Sequence, residues 1–139
     1  MAMCKWFVAL TIVGLLASLA ACTGLKQPEF DPLHPVTGKV QRGGKPLVGG
    51  SIQFQPVPDK QEFSINSLVD QEGNFKLTTV RTTDTKGERR PGAPAGEYTV
   101  VYTPESKDQT VAFEPPITLP KKVTVETKDN NLTLEIPAR

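Results

Sequence analysis

Few side chains in this sequence combine reactivity with a suggestive position. Cys22 is the first, a thiol that stands directly after an apolar run from Trp6 to Leu19 and the two small residues Ala20 and Ala21. The thiolate is the nucleophilic form of cysteine and the only side chain at this boundary able to form a thioether, so Cys22 is a candidate for S-alkylation. Asp70, Glu72 and Asn74 alternate oxygen ligands around Gly73 in "DQEGN", a spacing that invites calcium. An EF-hand loop needs a further carboxylate after the glycine, whereas Phe75, Lys76 and Leu77 resume a strand pattern. A hairpin turn with Gly73 at positive φ is therefore expected. A zinc site needs three or four His, Cys or carboxylate ligands, and His34 is the single histidine beside only two cysteines. No metal or cofactor is expected. A G-x-S-x-G elbow and a phosphate-cradling glycine loop are both missing. Four cations, Arg81, Lys86, Arg89 and Arg90, crowd the long segment from Thr78 to Gly96. A structureless stretch of more than about 12 to 15 residues is usually functional or disordered. Arg81 to Pro94 is thus expected to be a mobile loop in which any recognition of anionic sugars or lipid headgroups would reside, with a solvated charged loop as the plainer reading.

The segments that would position these residues begin with the apolar run. Met1 to Lys5 carries one positive charge, and Trp6 to Leu19 is broken only by Thr11, Gly14 and Ser18. A membrane-spanning helix needs roughly 20 apolar residues, whereas the core of a secretory signal needs about 7 to 15 followed by small residues. The run has the shorter form. Leu19, Ala20, Ala21 and Cys22 then read "LAAC", which resembles the lipobox of bacterial lipoproteins. The resemblance implies that the Cys22 thiol receives a diacylglycerol, that the Ala21–Cys22 bond is cut, and that the new amino terminus is acylated. Buried acyl CH₂ groups contribute about 0.8 kcal/mol each, so several chains hold a protein where one gives marginal attachment. The protein is accordingly expected in a bacterial cell envelope, lipid-anchored at the outer membrane or the outer face of the cytoplasmic membrane.

Three regions follow: a signal peptide over 1–21, a proline-rich tether over 22–35 and a domain over 36–139. The tether reads "TGLKQPEFDPLHP" with Pro28, Pro32 and Pro35. Extended at about 3.1 Å per residue, it would hold the domain up to about 40 Å from the lipid. The whole chain has 16 Lys and Arg against 15 Asp and Glu, and removal of Lys5 balances them. That balance does not suggest a nucleic-acid partner, since such proteins show a clustered basic excess. With Cys4 in the signal peptide and Cys22 acylated no disulfide is possible, so an apolar core must stabilise the fold.

Beyond the tether the pattern has period two. "SIQFQP" sets Ile52 and Phe54 against Gln53 and Gln55, "EYTVVYT" sets Tyr98, Val100 and Tyr102 on one face, and "KVTVET" and "NLTLEIP" give Val123, Val125, Leu132, Leu134 and Ile136. Such alternation marks strands with one buried and one wet face. Strands are expected near 36–41, 50–56, 63–70, 74–80, 97–103, 110–114, 122–127 and 131–137. Turn signals separate them at "RGGKP", "QEGN", "GAPAG" and "KDNN". The expected fold is all-β, an antiparallel Ig-like β-sandwich of seven to eight strands. Its core should contain Ile52, Phe54, Phe75, Leu77, Tyr98, Val100, Val125, Leu132 and Leu134. Val36, Gly38 and Val40 point inward and Lys39 outward, which argues against an isopeptide bond between Lys39 and Asn131.

"PVTGKVQRGGKPLVGGSIQFQP", "DQEGNFKLTT" and "GAPAGEYTVVY" together resemble carboxypeptidase regulatory-like, transthyretin-like β-sandwich domains, over Pro35 to Ile136. The resemblance implies a fold and an accessory role, and it supplies no catalytic residues. Hydroxyisourate hydrolases share that fold but use a histidine cluster and a "YRGS" tail, whereas this chain has His34 alone and ends "LEIPAR". The expected function is a non-catalytic, lipid-anchored interaction module whose partner is an envelope protein or a polysaccharide. The alternative is a small-ligand or carbohydrate carrier, for which Phe63, Tyr102 and Phe113 are the candidate aromatic platforms.

Overall fold

A computed structural model describes Gly24 and residues 26–108, 110 and 114–138. The described chain is all-β: no helix occurs among these residues, and thirteen short strands do. They run β1 Leu33–His34, β2 Val36–Arg42, β3 Lys45–Pro46, β4 Ser51–Val57, β5 Phe63–Leu68, β6 Asn74–Lys76, β7 Thr78–Arg81, β8 Arg89–Pro91, β9 Ala93–Pro94, β10 Gly96–Thr103, β11 Ile117–Thr118, β12 Val123–Val125 and β13 Asn130–Glu135. No helix among the described residues is long and apolar enough to cross a membrane.

A seven-stranded sheet has the order β11-β10-β4-β5-β7-β8, with β12 also pairing β10. A four-stranded sheet is centred on β2, which pairs β13 on one side and β6 and β3 along the other. β1 and β9 form a separate two-stranded ribbon. The two larger sheets share one apolar core, an arrangement consistent with a β-sandwich and not a closed barrel. Ile52, Phe54, Ile65, Tyr98 and Val100 come from the larger sheet, and Val36, Val40, Phe75 and Leu134 from the smaller one. Phe54 bridges them, with ring centroids 6.3 Å from Phe75 and 5.7 Å from Tyr98. Alternation predicted this core correctly except at Leu132, which is only partly buried against it.

Three features differ from the sequence reading. The strand expected over 74–80 is two strands in different sheets. Leu77 lies between them with its N–H on the Val36 carbonyl (2.9 Å) and its own carbonyl accepting from Gly92 N–H (2.9 Å), so the chain changes sheets there. β13 runs parallel to β2, with Leu132 opposite Gly38 and Leu134 opposite Val40, and the sheets are otherwise antiparallel. The strand expected at 110–114 falls largely outside the described residues, and the edge position beside β10 is taken by β11 and β12.

Residues 81–94, expected to be a mobile loop, are a turn flanked by strand residues: Arg81 ends β7, and 89–91 and 93–94 are β8 and β9. β8 extends the large sheet, pairing Thr79 with Arg90, and Ala93 is fully buried. Two arginines and a proline make β8 a poor template for a further strand, a common protection of an open sheet edge. Only the tip, Thr82–Glu88, is an exposed turn apart from the half-buried Asp84. Asp84 closes it by accepting the backbone N–H groups of Lys86 (2.8 Å) and Glu88 (3.3 Å).

Candidate functional site

The segment expected to be a free tether is instead docked on the domain from Gln27 to His34. Proline at 28, 32 and 35 removes backbone donors and favours an extended course, leaving side chains to make the attachment. Phe30 is the centre of it. Its ring lies 5.4 Å from that of Phe63, and the guanidinium carbons of Arg81 and Arg90 lie 4.2 and 4.3 Å from its centroid. Glu88 holds both arginines, at 2.9 Å to Arg81 and 2.8 Å to Arg90. Arg81 Nε donates to the Pro28 carbonyl (2.6 Å), Thr83 Oγ1 donates to Gln27 Oε1 (3.1 Å), and Lys60 Nζ pairs with Asp31 (2.9 Å). The ribbon completes the attachment, Leu33 opposite Pro94 and His34 opposite Ala93. Gly92 is needed beside it, since it has φ of 99° and a Cβ there would lie 2.6 Å from the His34 carbonyl oxygen.

Docking creates a candidate site, a groove of about 420 Å³ between the N-terminal segment and the domain. Pro32 and His34 of the docked segment form one wall, Pro56 near the end of β4 and Pro58 just after it another, and Phe63 and Tyr98 contribute the apolar depth. Asp31, Lys60 and Glu97 supply charge at its lining. Tyr98 is buried, and its hydroxyl donates to the Pro94 carbonyl at 2.5 Å. Burial, together with the nearby negative charge of Asp31, pushes the Tyr98 phenol up to about 12. The groove can therefore bind through shape, apolar contact and a few fixed charges, and Tyr98 enters it as a neutral hydrogen-bonded group.

The four cations singled out in the sequence do not form one patch. Arg81 and Arg90 grip Phe30, whereas Arg89 turns the other way and donates to Thr78 Oγ1 (2.7 Å) and Asn66 Oδ1 (3.2 Å). Lys86 lies at the exposed tip, and its side chain forms no ion pair among the described residues. Alternation along β8 separates Arg89 from Arg90, a consequence of strand structure that a loop reading cannot anticipate. Cys22 and Ala21 lie outside the described residues, as does Phe113. Of the other aromatic candidates, Phe63 lines the groove, whereas Tyr102 is buried with its hydroxyl donating to the Gly49 carbonyl (3.0 Å).

The "DQEGN" oxygens are turn-forming groups. Asp70 accepts the backbone N–H groups of Glu72 and Asn74, both at 2.8 Å, and Gly73 has φ of 81°. These bonds, that of Asn74 first, hold the Asp70 carboxyl below its usual value. Among the described residues no group of three or more His, Cys, Asp or Glu side chains is placed to hold a metal. Lys39 and Asn131 are both exposed, on neighbouring strands, with Lys39 opposite Thr133.

Phe30, Glu88 and the proline walls were not singled out by motif. One signal was present: "PEFDP" places an aromatic residue in an otherwise polar, proline-rich stretch, where an exposed ring is unfavourable unless it packs. Comparison with family models, curated proteins and solved structures finds no match to this chain.

Proposed function

We propose that the protein is a non-catalytic, lipid-anchored module of a bacterial cell envelope, a transthyretin-like β-sandwich that binds another envelope component in the groove beside its docked N-terminal segment. The observation that carries this reading is that the segment linking Cys22 to the domain is itself a wall of the groove, through Asp31, Pro32 and His34. Anchoring and recognition are thereby joined in one structural unit. The lipobox resemblance at Leu19–Cys22 supports the anchor, and the "GKPL", "DQEGNF" and "PAGEY" likenesses support the fold type.

A groove of about 420 Å³ is also within the size range of small-ligand pockets, roughly 300 to 1,000 Å³. A carbohydrate or small-ligand carrier is therefore the second reading, with Phe63 as its aromatic surface. A photoreactive amino acid at exposed Val57, on the groove, separates the two in native membranes, with exposed Leu68 as the control position. A discrete protein adduct at 57 and none at 68 supports a protein-binding module. An adduct to glycan or small molecule favours the carrier, and equal labelling at both positions contradicts a recognition role for the groove.

A further inference from the structure

We infer that the end of the domain formed by the β7–β8 hairpin is its membrane-facing surface, held against lipid headgroups by the docked N-terminal segment. This rests on the proposed acylation of Cys22. From Cys22 to Gln27 there are five peptide steps, which span at most about 18 Å when fully extended. Gln27 is fixed to Thr83 at 3.1 Å and the Pro28 carbonyl to Arg81 at 2.6 Å, both within or beside the hairpin. The lipid-bearing residue is therefore leashed to this end. A free segment from Thr23 to Pro35 would give about 40 Å of reach and no preferred orientation.

The sheet order makes the consequence directional. β8 is one edge of the large sheet and β11 the other, five inter-strand spacings apart, or about 24 Å. Lys121, between β11 and β12, belongs to the far edge and is exposed. The chemistry of the tip suits headgroups rather than the hydrocarbon. Thr82–Glu88 contains no large apolar side chain, so it has nothing to insert. Its carboxylates are engaged internally, Asp84 by backbone N–H groups and Glu88 by Arg81 and Arg90. Lys26 and Lys86 form no ion pair among the described residues and are the groups presented to lipid phosphate. Glu29 and Glu62 offset that charge, so the short leash, not net attraction, sets the orientation.

The test uses the full chain, processed and purified with its lipid, in vesicles of phosphatidylethanolamine and phosphatidylglycerol carrying a headgroup quencher. Lys86→Cys and Lys121→Cys each receive a fluorophore; a Cys22 blocked by acylation does not compete for it. Quenching severalfold stronger at 86 than at 121, with the contrast abolished by an added Phe30→Ala, is the expected result. Equal quenching at both positions, stronger quenching at 121, or a contrast that persists in Phe30→Ala overturns the inference while the acyl mass of the protein remains intact. A purified chain without acyl mass that fails to float with the vesicles overturns the reading of Cys22, and the inference with it.

Discussion

Tyr98 illustrates how one side chain serves both core and groove. Its hydroxyl bond to Pro94 holds the turn between β9 and β10, and its ring packs against Phe54. With the folded phenol raised from 10.0 to about 12, its contribution is fully present below pH 10 and is lost as pH rises from 10 towards 12, because the unfolded chain ionises first. Tyr98→Phe should cost about 0.5–1.5 kcal/mol at neutral pH and flatten the alkaline loss, measured as denaturant midpoints across that window. Gly38 is constrained differently: a Cβ there would lie 2.0 Å from the Leu132 carbonyl oxygen and 2.8 Å from the Phe75 ring. Gly38→Ala should destabilise by about 1–3 kcal/mol, since the β2–β13 pairing must shift to admit it, and urea unfolding would show the loss. The positive φ at Gly73 was legible because "QEGN" is a local turn signal. The need for Gly38 was not, because both atoms that crowd it come from strands distant in sequence.

Strands β2, β4, β10 and β13 were legible because each presents at least three alternating residues to the core or to solvent. β1, β8 and β9 have two or three residues each, β8 and β9 contain proline, and their stability comes from neighbours that the local sequence does not name. The β6–β7 break was hidden for the opposite reason: Phe75, Leu77 and Thr79 are all buried, so alternation continues across a change of sheet. Two predictions belong to these elements. Phe30→Ala should remove an aromatic pair worth about 0.5–1.5 kcal/mol and two cation–π contacts, an exposed one to Arg90 of about 0.5–1 kcal/mol and a half-buried one to Arg81 of about 1–2 kcal/mol. Backbone amides of β1 should then exchange faster, with those of β4 and β10 unchanged. Replacing Thr83–Gly87 by Gly and Ser should leave the unfolding midpoint nearly unchanged. Substituting Arg89–Pro91 in the same way should lower it clearly, because β8 is an edge strand that also carries the Arg90 contact to Phe30. Equal tolerance at both places would show that β8 adds nothing to the sheet.

At the scale of the whole molecule, one core joins two open sheets, and the N-terminal segment is an additional part of the domain. Leu134 reaches that core from β13, so Leu134→Ala should cost about 2–5 kcal/mol if the site cannot collapse around the cavity, again read from denaturant midpoints. We propose that this body is fixed to a membrane through Cys22 by a leash shortened at Phe30. The sequence alone suggested the anchor, whereas the shortening of the leash follows from contacts made by Phe63, Arg81 and Arg90. The most direct test is the intact mass of the mature chain recovered from the membrane fraction of a bacterial host. A chain beginning at Cys22 and carrying the added mass of diacylglyceryl and acyl groups is the predicted result, and a mature chain that begins elsewhere or keeps a free, alkylatable Cys22 thiol would contradict it.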